Sequence, residues 1–92
     1  MLVSGTLNPD ATGRYYRALD YDGRTTWKRD DLAWSIWRRP SDGRYYITDV
    51  VGEGYEETDP YWKCEESNET PPGSFDNYGT ADGVALVESA SE

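Results

Sequence analysis

Ninety-two residues with a formal charge of −9, from 18 acidic against 9 basic side chains, describe one small domain that repels phosphate backbones and anionic membrane surfaces. The chain has no histidine and a single cysteine, Cys64, which excludes an intramolecular disulfide, a Cys/His zinc site and every His-dependent triad. Four tryptophans and eight tyrosines stand among only thirteen Leu, Ile, Val and Phe residues, so aromatic rings must supply much of the core. High charge with few aliphatics would favour disorder, but rings at strand-like spacing argue against it for most of the chain. A thin core instead fits a marginal monomer stabilised by neighbouring subunits.

In chain order, residues 2–7 read as a first strand. Met1-Leu2-Val3-Ser4-Gly5 lacks the basic and apolar regions of a signal peptide, and no apolar run reaches the length of a membrane span. The expectation is a chain that starts near Met1 and is made in the cytoplasm. Asn8-Pro9-Asp10-Ala11-Thr12-Gly13 echoes the opening of a calcium loop, but the bidentate Glu expected six residues after the glycine is replaced by Leu19. Turn formation explains these residues better, as it does Asp20-Tyr21-Asp22-Gly23.

Asp22-Gly23 suits a two-residue hairpin turn with positive φ. On that register Tyr21 faces Arg24, Leu19 faces Thr26, Ala18 faces Trp27 and Tyr16 faces Arg29. Residues 33–39 and 44–50 form a second hairpin through Pro40-Ser41-Asp42-Gly43. Alternation puts Trp34 and Ile36 on one face of its first strand and Trp37 on the other. In the returning strand Tyr45 and Ile47 oppose Tyr46 and Thr48, so both faces of this hairpin carry an aromatic. A strand with one wet face would not need that.

Residues 52–70 are acidic around Tyr61-Trp62-Lys63-Cys64 and read as loop, short strand, loop. Cys64 fits a small buried filler better than a reactive thiol. Asn68-Glu69-Thr70 matches a glycosylation acceptor that a chain without a secretory signal would not use. The last element spans about 79–88 and pairs with the first, which brings the termini together; 89–92 is a frayed tail. Without sustained helical periodicity, the chain is expected to be all-β: an antiparallel meander of about 5–7 short strands over residues 1–88, as a compact sheet or partly open barrel.

The candidate chemistry is recognition. Paired carboxylates such as Glu56-Glu57 and Glu65-Glu66 read as solvated surface, with no deep scaffold to desolvate one of them. No catalytic residue, cofactor or resident metal is therefore expected. Exposed Trp and Tyr faces suit sugar rings, and Trp37, Tyr46 and Trp62 are the candidates. A second core or a subunit interface weighs more heavily, because the aliphatic core is too small to spare many rings. Arg39 beside Trp37 and Tyr46 completes the residue mix of an interface hot spot. On this division Trp27 and Trp34 belong to the core, while Trp37 and Trp62 face a ligand or partner.

Taken in order, Gly5-Thr6-Leu7-Asn8-Pro9-Asp10-Ala11-Thr12-Gly13-Arg14-Tyr15, Tyr21-Asp22-Gly23-Arg24, Trp34-Ser35-Ile36-Trp37, Tyr46-Ile47-Thr48-Asp49, Gly73-Ser74-Phe75 and Tyr78-Gly79-Thr80-Ala81-Asp82-Gly83 resemble a small β-module of bacteriophage and environmental viral genomes, found in virion or tail-associated proteins. The resemblance covers residues 4–87, and its specificity lies in the order of short motifs. Arg38 departs from it, standing where a second aromatic often follows the Ile-Trp pair, and the acidic 55–69 insert and Cys64 are particular to this chain. The resemblance implies a non-enzymatic structural part: a decoration, fibre or tail-associated subunit, located in the virion, whose partners are copies of itself or other virion proteins. A free-standing carbohydrate-binding module is the alternative, with a saccharide as partner; a small hydrolase ranks third. Neither nucleic acid nor a membrane is an expected partner.

Overall fold

Asp22 and Gly23 both adopt positive φ, 50° and 77°, the pairing a type I′ turn demands and the one its right-handed twist fits to a hairpin. In the computed structural model, which describes residues 1–65 and 70–89, this turn joins β2 (Gly13–Tyr21) to β3 (Arg24–Arg29). They belong to an antiparallel meander completed by β1 (Leu2–Ser4), β4 (Ser35–Arg38), β5 (Tyr45–Thr48), β6 (Pro60–Cys64), β7 (Gly73–Gly79) and β8 (Ala85–Glu88). Each strand pairs with the next and β8 pairs back onto β1, closing an eight-stranded barrel. The all-β meander and the adjacent termini are as expected; the strand count is one above the range, and the barrel is closed. No helix among the described residues is long and apolar enough to cross a membrane. The acceptor-like Asn68-Glu69 pair and residues 90–92 of the expected tail lie outside the described residues.

Two local expectations change. Tyr21 faces Arg24, but beyond it the register slips, so that Ala18 faces Thr26 and Arg17, not Ala18, faces Trp27. The cause is a bulge at Leu19 and Asp20, one residue more on β2 than on β3. The Thr26 hydroxyl donates to the Leu19 carbonyl at 2.6 Å, and the Leu19 side chain is thrown out to 90% exposure. The second change is at the end of the chain. The segment expected as one element over 79–88 is the end of β7, a loop bridged to Asn8 through Asp82, and β8. β7 carries polar Ser74, Asp76 and Asn77 around one deeply buried residue, Phe75, so its apolar alternation is faint.

On the second hairpin alternation places the rings as read. The β4–β5 hairpin pairs Ile36 with Ile47 facing inward and Trp37 with Tyr46 facing outward, and is buried on both faces. The interior is filled by Val3, Tyr15, Trp34, Ile36, Tyr45, Ile47, Trp62, Cys64, Phe75, Ala85 and Val87, with Trp27 packed against them. Trp34 and Trp62 meet edge to face at 5.6 Å.

Arg29 ties one end of the barrel together. Its Nη1 donates to the carbonyls of Asp10 and Thr12, at 2.7 and 3.1 Å, and its Nε and Nη2 grip the Asp31 carboxylate at 2.9 and 2.7 Å. Asp31 also accepts from the Ala33 amide. The Asp10 carboxylate accepts from the Thr12 amide and hydroxyl, and Tyr15 donates its hydroxyl to the Ala11 carbonyl. The stretch that echoes a calcium loop is thus closed on itself and on Arg29. Among the described residues no group of three or more Cys, Asp or Glu side chains is placed to hold a metal ion.

Two predictions follow from these contacts. At Gly23 a Cβ meets nothing within 4 Å, so Gly23→Ala should lose only the positive-φ preference, about 1 kcal/mol in urea denaturation. At Gly79 the same atom would lie 1.9 Å from the Asp59 carbonyl oxygen, so Gly79→Ala should shift the midpoint much further; equal shifts would show that this approach is not maintained.

The Arg29 guanidinium, together with the Ala33 amide, holds the Asp31 carboxyl at a pKa of about 2, below its ordinary 3.8. A depressed carboxyl stabilises the fold above its unfolded pKa and loses that contribution as pH falls towards the folded value. Asp31→Asn should therefore flatten the part of the acid unfolding curve between pH 3.8 and about 2. An unchanged curve would show that the clamp does not stabilise the barrel.

Candidate functional site

Outward positions on four successive strands build a row of rings. Trp37 on β4 stacks on Tyr46 of β5 at 5.3 Å between centroids, Tyr46 on Tyr61 of β6 at 5.9 Å, and Tyr61 on Tyr78 of β7 at 5.5 Å. Interplanar angles of 24°, 19° and 16° keep the rings nearly parallel. Tyr21, at the end of β2, meets Trp37 edge-on. The β5–β6 connection then folds over the row, setting Tyr55 against both Trp37 and Tyr46.

Polar groups fasten this layer. Trp37 Nε1 donates to Thr48 Oγ1 at 2.8 Å, and that hydroxyl donates onward to the Val50 carbonyl at the start of the covering loop. Tyr46 donates its hydroxyl to Asp42 at 2.8 Å and accepts from Arg39 Nη1 at 3.3 Å. Burial pushes the Tyr46 hydroxyl up to about 12, assisted by the Asp42 carboxylate and opposed by the Arg39 hydrogen bond. The Arg39 guanidinium lies 4.5 Å from the Tyr55 centroid, and Lys63 Nζ lies 4.3 Å from that of Tyr78.

Three of the four residues singled out from the sequence, Trp37, Arg39 and Tyr46, meet here; Trp62 does not. Parity on β6 sends Tyr61 and Lys63 outward and Trp62 and Cys64 inward, and Trp62 Nε1 is bound to the Gly83 carbonyl at 3.0 Å. Trp62 is therefore a core residue and not a ligand or partner contact; an isolated five-residue strand has no flanking pattern from which to read its face in the sequence. Trp37 and Tyr46 do face outward, but at 1% and 2% exposure they are sealed beneath the loop. Arg39 remains partly exposed. Tyr55, Tyr61 and Tyr78 were not among the candidates, although Tyr61 stands two residues before Lys63 and so shares its outward parity.

The stacking also bears on ligand chemistry. A sugar packs against the face of a ring, yet both faces of Tyr61 and of Tyr46 are taken by neighbouring rings. At the margins of the layer the cations of Arg39 and Lys63 lie over Tyr55 and Tyr78.

Among the described residues, the other side of the barrel has no such cover. Val84 and Leu86 on the β8 side, Leu2 on β1 and Tyr16 on β2 point outward at 54%, 41%, 36% and 42% exposure. Leu32 and Leu19 extend this arc, and an open groove of about 590 Å³ runs along β2 and β3 past Ala18, Tyr21, Thr26, Lys28 and Val51. No family model matches the chain, and neither a curated protein nor a solved structure does so.

Burial of Trp37 predicts a cost that an exposed contact residue would not show. Trp37→Ala should lose about 3–5 kcal/mol, in the range expected for Trp62→Ala, because each empties a packed site. A Trp37→Ala melt close to that of the native chain would mean that the covering loop leaves this ring accessible.

Proposed function

We propose that the chain is a non-enzymatic structural subunit that works by protein–protein contact, and that its setting is a bacteriophage or related virion, as a decoration or tail-associated component. The viral setting is supported by the motif order alone. The contact mode is supported chiefly by the uneven treatment of the barrel exterior. One apolar side is sealed by the chain's own β5–β6 loop, while the arc from β8 through β1 to β2 leaves Val84, Leu86, Leu2 and Tyr16 in water. Grouped apolar exposure with charges around it is the pattern of an interaction surface. A partner covering this arc would add the burial that a small core lacks, and symmetric repetition on a particle would supply that partner.

The contact face thus moves from the Trp37–Tyr46 side to the opposite arc, with Arg39 left at the margin of the sealed layer. The carbohydrate reading loses its two tryptophans to burial and its tyrosine faces to stacking.

The test is binding by the purified chain to particle proteins of its source, alongside a glycan array. Leu86→Glu and Tyr16→Glu, both at solvent-facing positions, should leave the circular dichroism melt nearly unchanged and weaken protein capture about tenfold or more. Strong saccharide binding by a monomer, untouched by either substitution, would replace this reading with a carbohydrate-binding one.

A further inference from the structure

The arc that the described residues leave exposed carries a charge pattern that complements itself. Strand register sets three outward side chains in one row, with Leu2 on β1 directly opposite Glu88 on β8 and Arg14 on β2. The row reads acid, apolar, base. Strand spacing puts its two ends about 10 Å apart. The division extends through the whole chain: residues 1–48 hold eight basic and six acidic side chains, and residues 49–92 hold one and twelve. On the outward face β2 and β3 therefore bring Arg14 and Lys28 to one side of β1, while β7 and β8 bring Asp76 and Glu88 to the other. A face with opposite charges on either side of an apolar line fits its own copy turned by half a rotation about that line.

Resting on the reading of this arc as a protein-contact face, we infer that its occupant is a second copy of the chain, docked face to face about a two-fold axis along β1. Leu2 then meets Leu2 of the second copy, and Glu88 of each copy meets Arg14 of the other. Leu86 and Tyr16 lie on either side of the apolar line and enlarge the covered area. An axis across the strands would instead set Arg14 against Arg14 and Glu88 against Glu88, so charge selects the first arrangement.

Sedimentation equilibrium of the whole chain over a wide concentration range, at low and high salt, tests the dimer. The mass should climb from 10.5 kDa towards twice that value at both salt levels, because salt screens the cross-pairs and the repulsion between two copies of charge −9 together. Arg14→Glu and Glu88→Lys should each weaken association about tenfold or more. An equimolar mixture of the two should restore it, since every repulsive contact becomes an attractive one. Leu2→Cys offers a second readout: it should cross-link to itself under mild oxidation, with Cys64 buried inside the barrel. Glu88→Cys should cross-link only when mixed with Arg14→Cys.

A mass fixed at 10.5 kDa, a mixture no tighter than its components, or assemblies larger than two would overturn the two-fold dimer. A fixed mass with particle-protein binding still sensitive to Leu86→Glu would remove the self-pairing alone and leave the contact face standing. Loss of both would remove the contact face as well.

Discussion

Closure of the barrel through β1 and β8 is the constraint on which the rest of the structure depends. An open sheet of this length would expose two edges and one face, and thirteen aliphatic and Phe side chains could not cover the other face well. Closing the sheet removes the edges and creates an interior that must be filled from eight strands. Rings fill it: Tyr15, Trp34, Tyr45, Trp62 and Phe75 span the space that a Leu/Ile-rich chain would fill with more residues. Inward tyrosine and tryptophan then oblige the backbone to supply polar partners. The Ala11 carbonyl accepts from Tyr15 and the Gly83 carbonyl from Trp62, so the loops at the barrel ends are fixed by the core itself.

The exterior follows from the same parity. Strands β5 to β7 put an aromatic on the outward as well as the inward side and β4 adds Trp37 outward, and a row of outward rings on a small barrel would attract non-specific contacts. The chain covers that row with its own acidic β5–β6 connection, held by Tyr55 over Arg39 and by the Thr48–Val50 hydrogen bond. The result is a two-layered sector in which both faces of Tyr46 and of Tyr61 are occupied. Strands β8, β1 and β2 turn Leu86, Leu2 and Tyr16 outward, and among the described residues these side chains stay exposed.

The distribution of charge gives the same division a direction. Nearly all the basic side chains precede residue 49 and most of the acidic ones follow it. In a meander that closes on itself, chain order becomes position around the barrel, so the basic and acidic stretches lie on different sides and meet at β1. A net charge of −9 would by itself describe a protein that repels its own copies. Segregation around the barrel gives its two sides different local charge within that acidic total.

Much of this was legible in the residues. The Asp-Gly turns, the alternation through Trp34-Ser35-Ile36-Trp37 and Tyr45-Tyr46-Ile47-Thr48, and the pairing of the two ends depend on short-range sterics and a two-residue period, which any stretch of sequence displays. The bulge at Leu19 was not legible, because one extra residue changes no composition and is revealed only when β2 is laid against β3. The face of Trp62 escaped for the same kind of reason: a lone short strand has a period but no phase until its neighbours fix it. The sequence alone thus determined that this is an all-β, aromatic-rich, acidic domain with opposed rings on its second hairpin. Only the tertiary structure decided which rings are sealed and which apolar side chains stay in water, because burial depends on where a distant loop comes to rest.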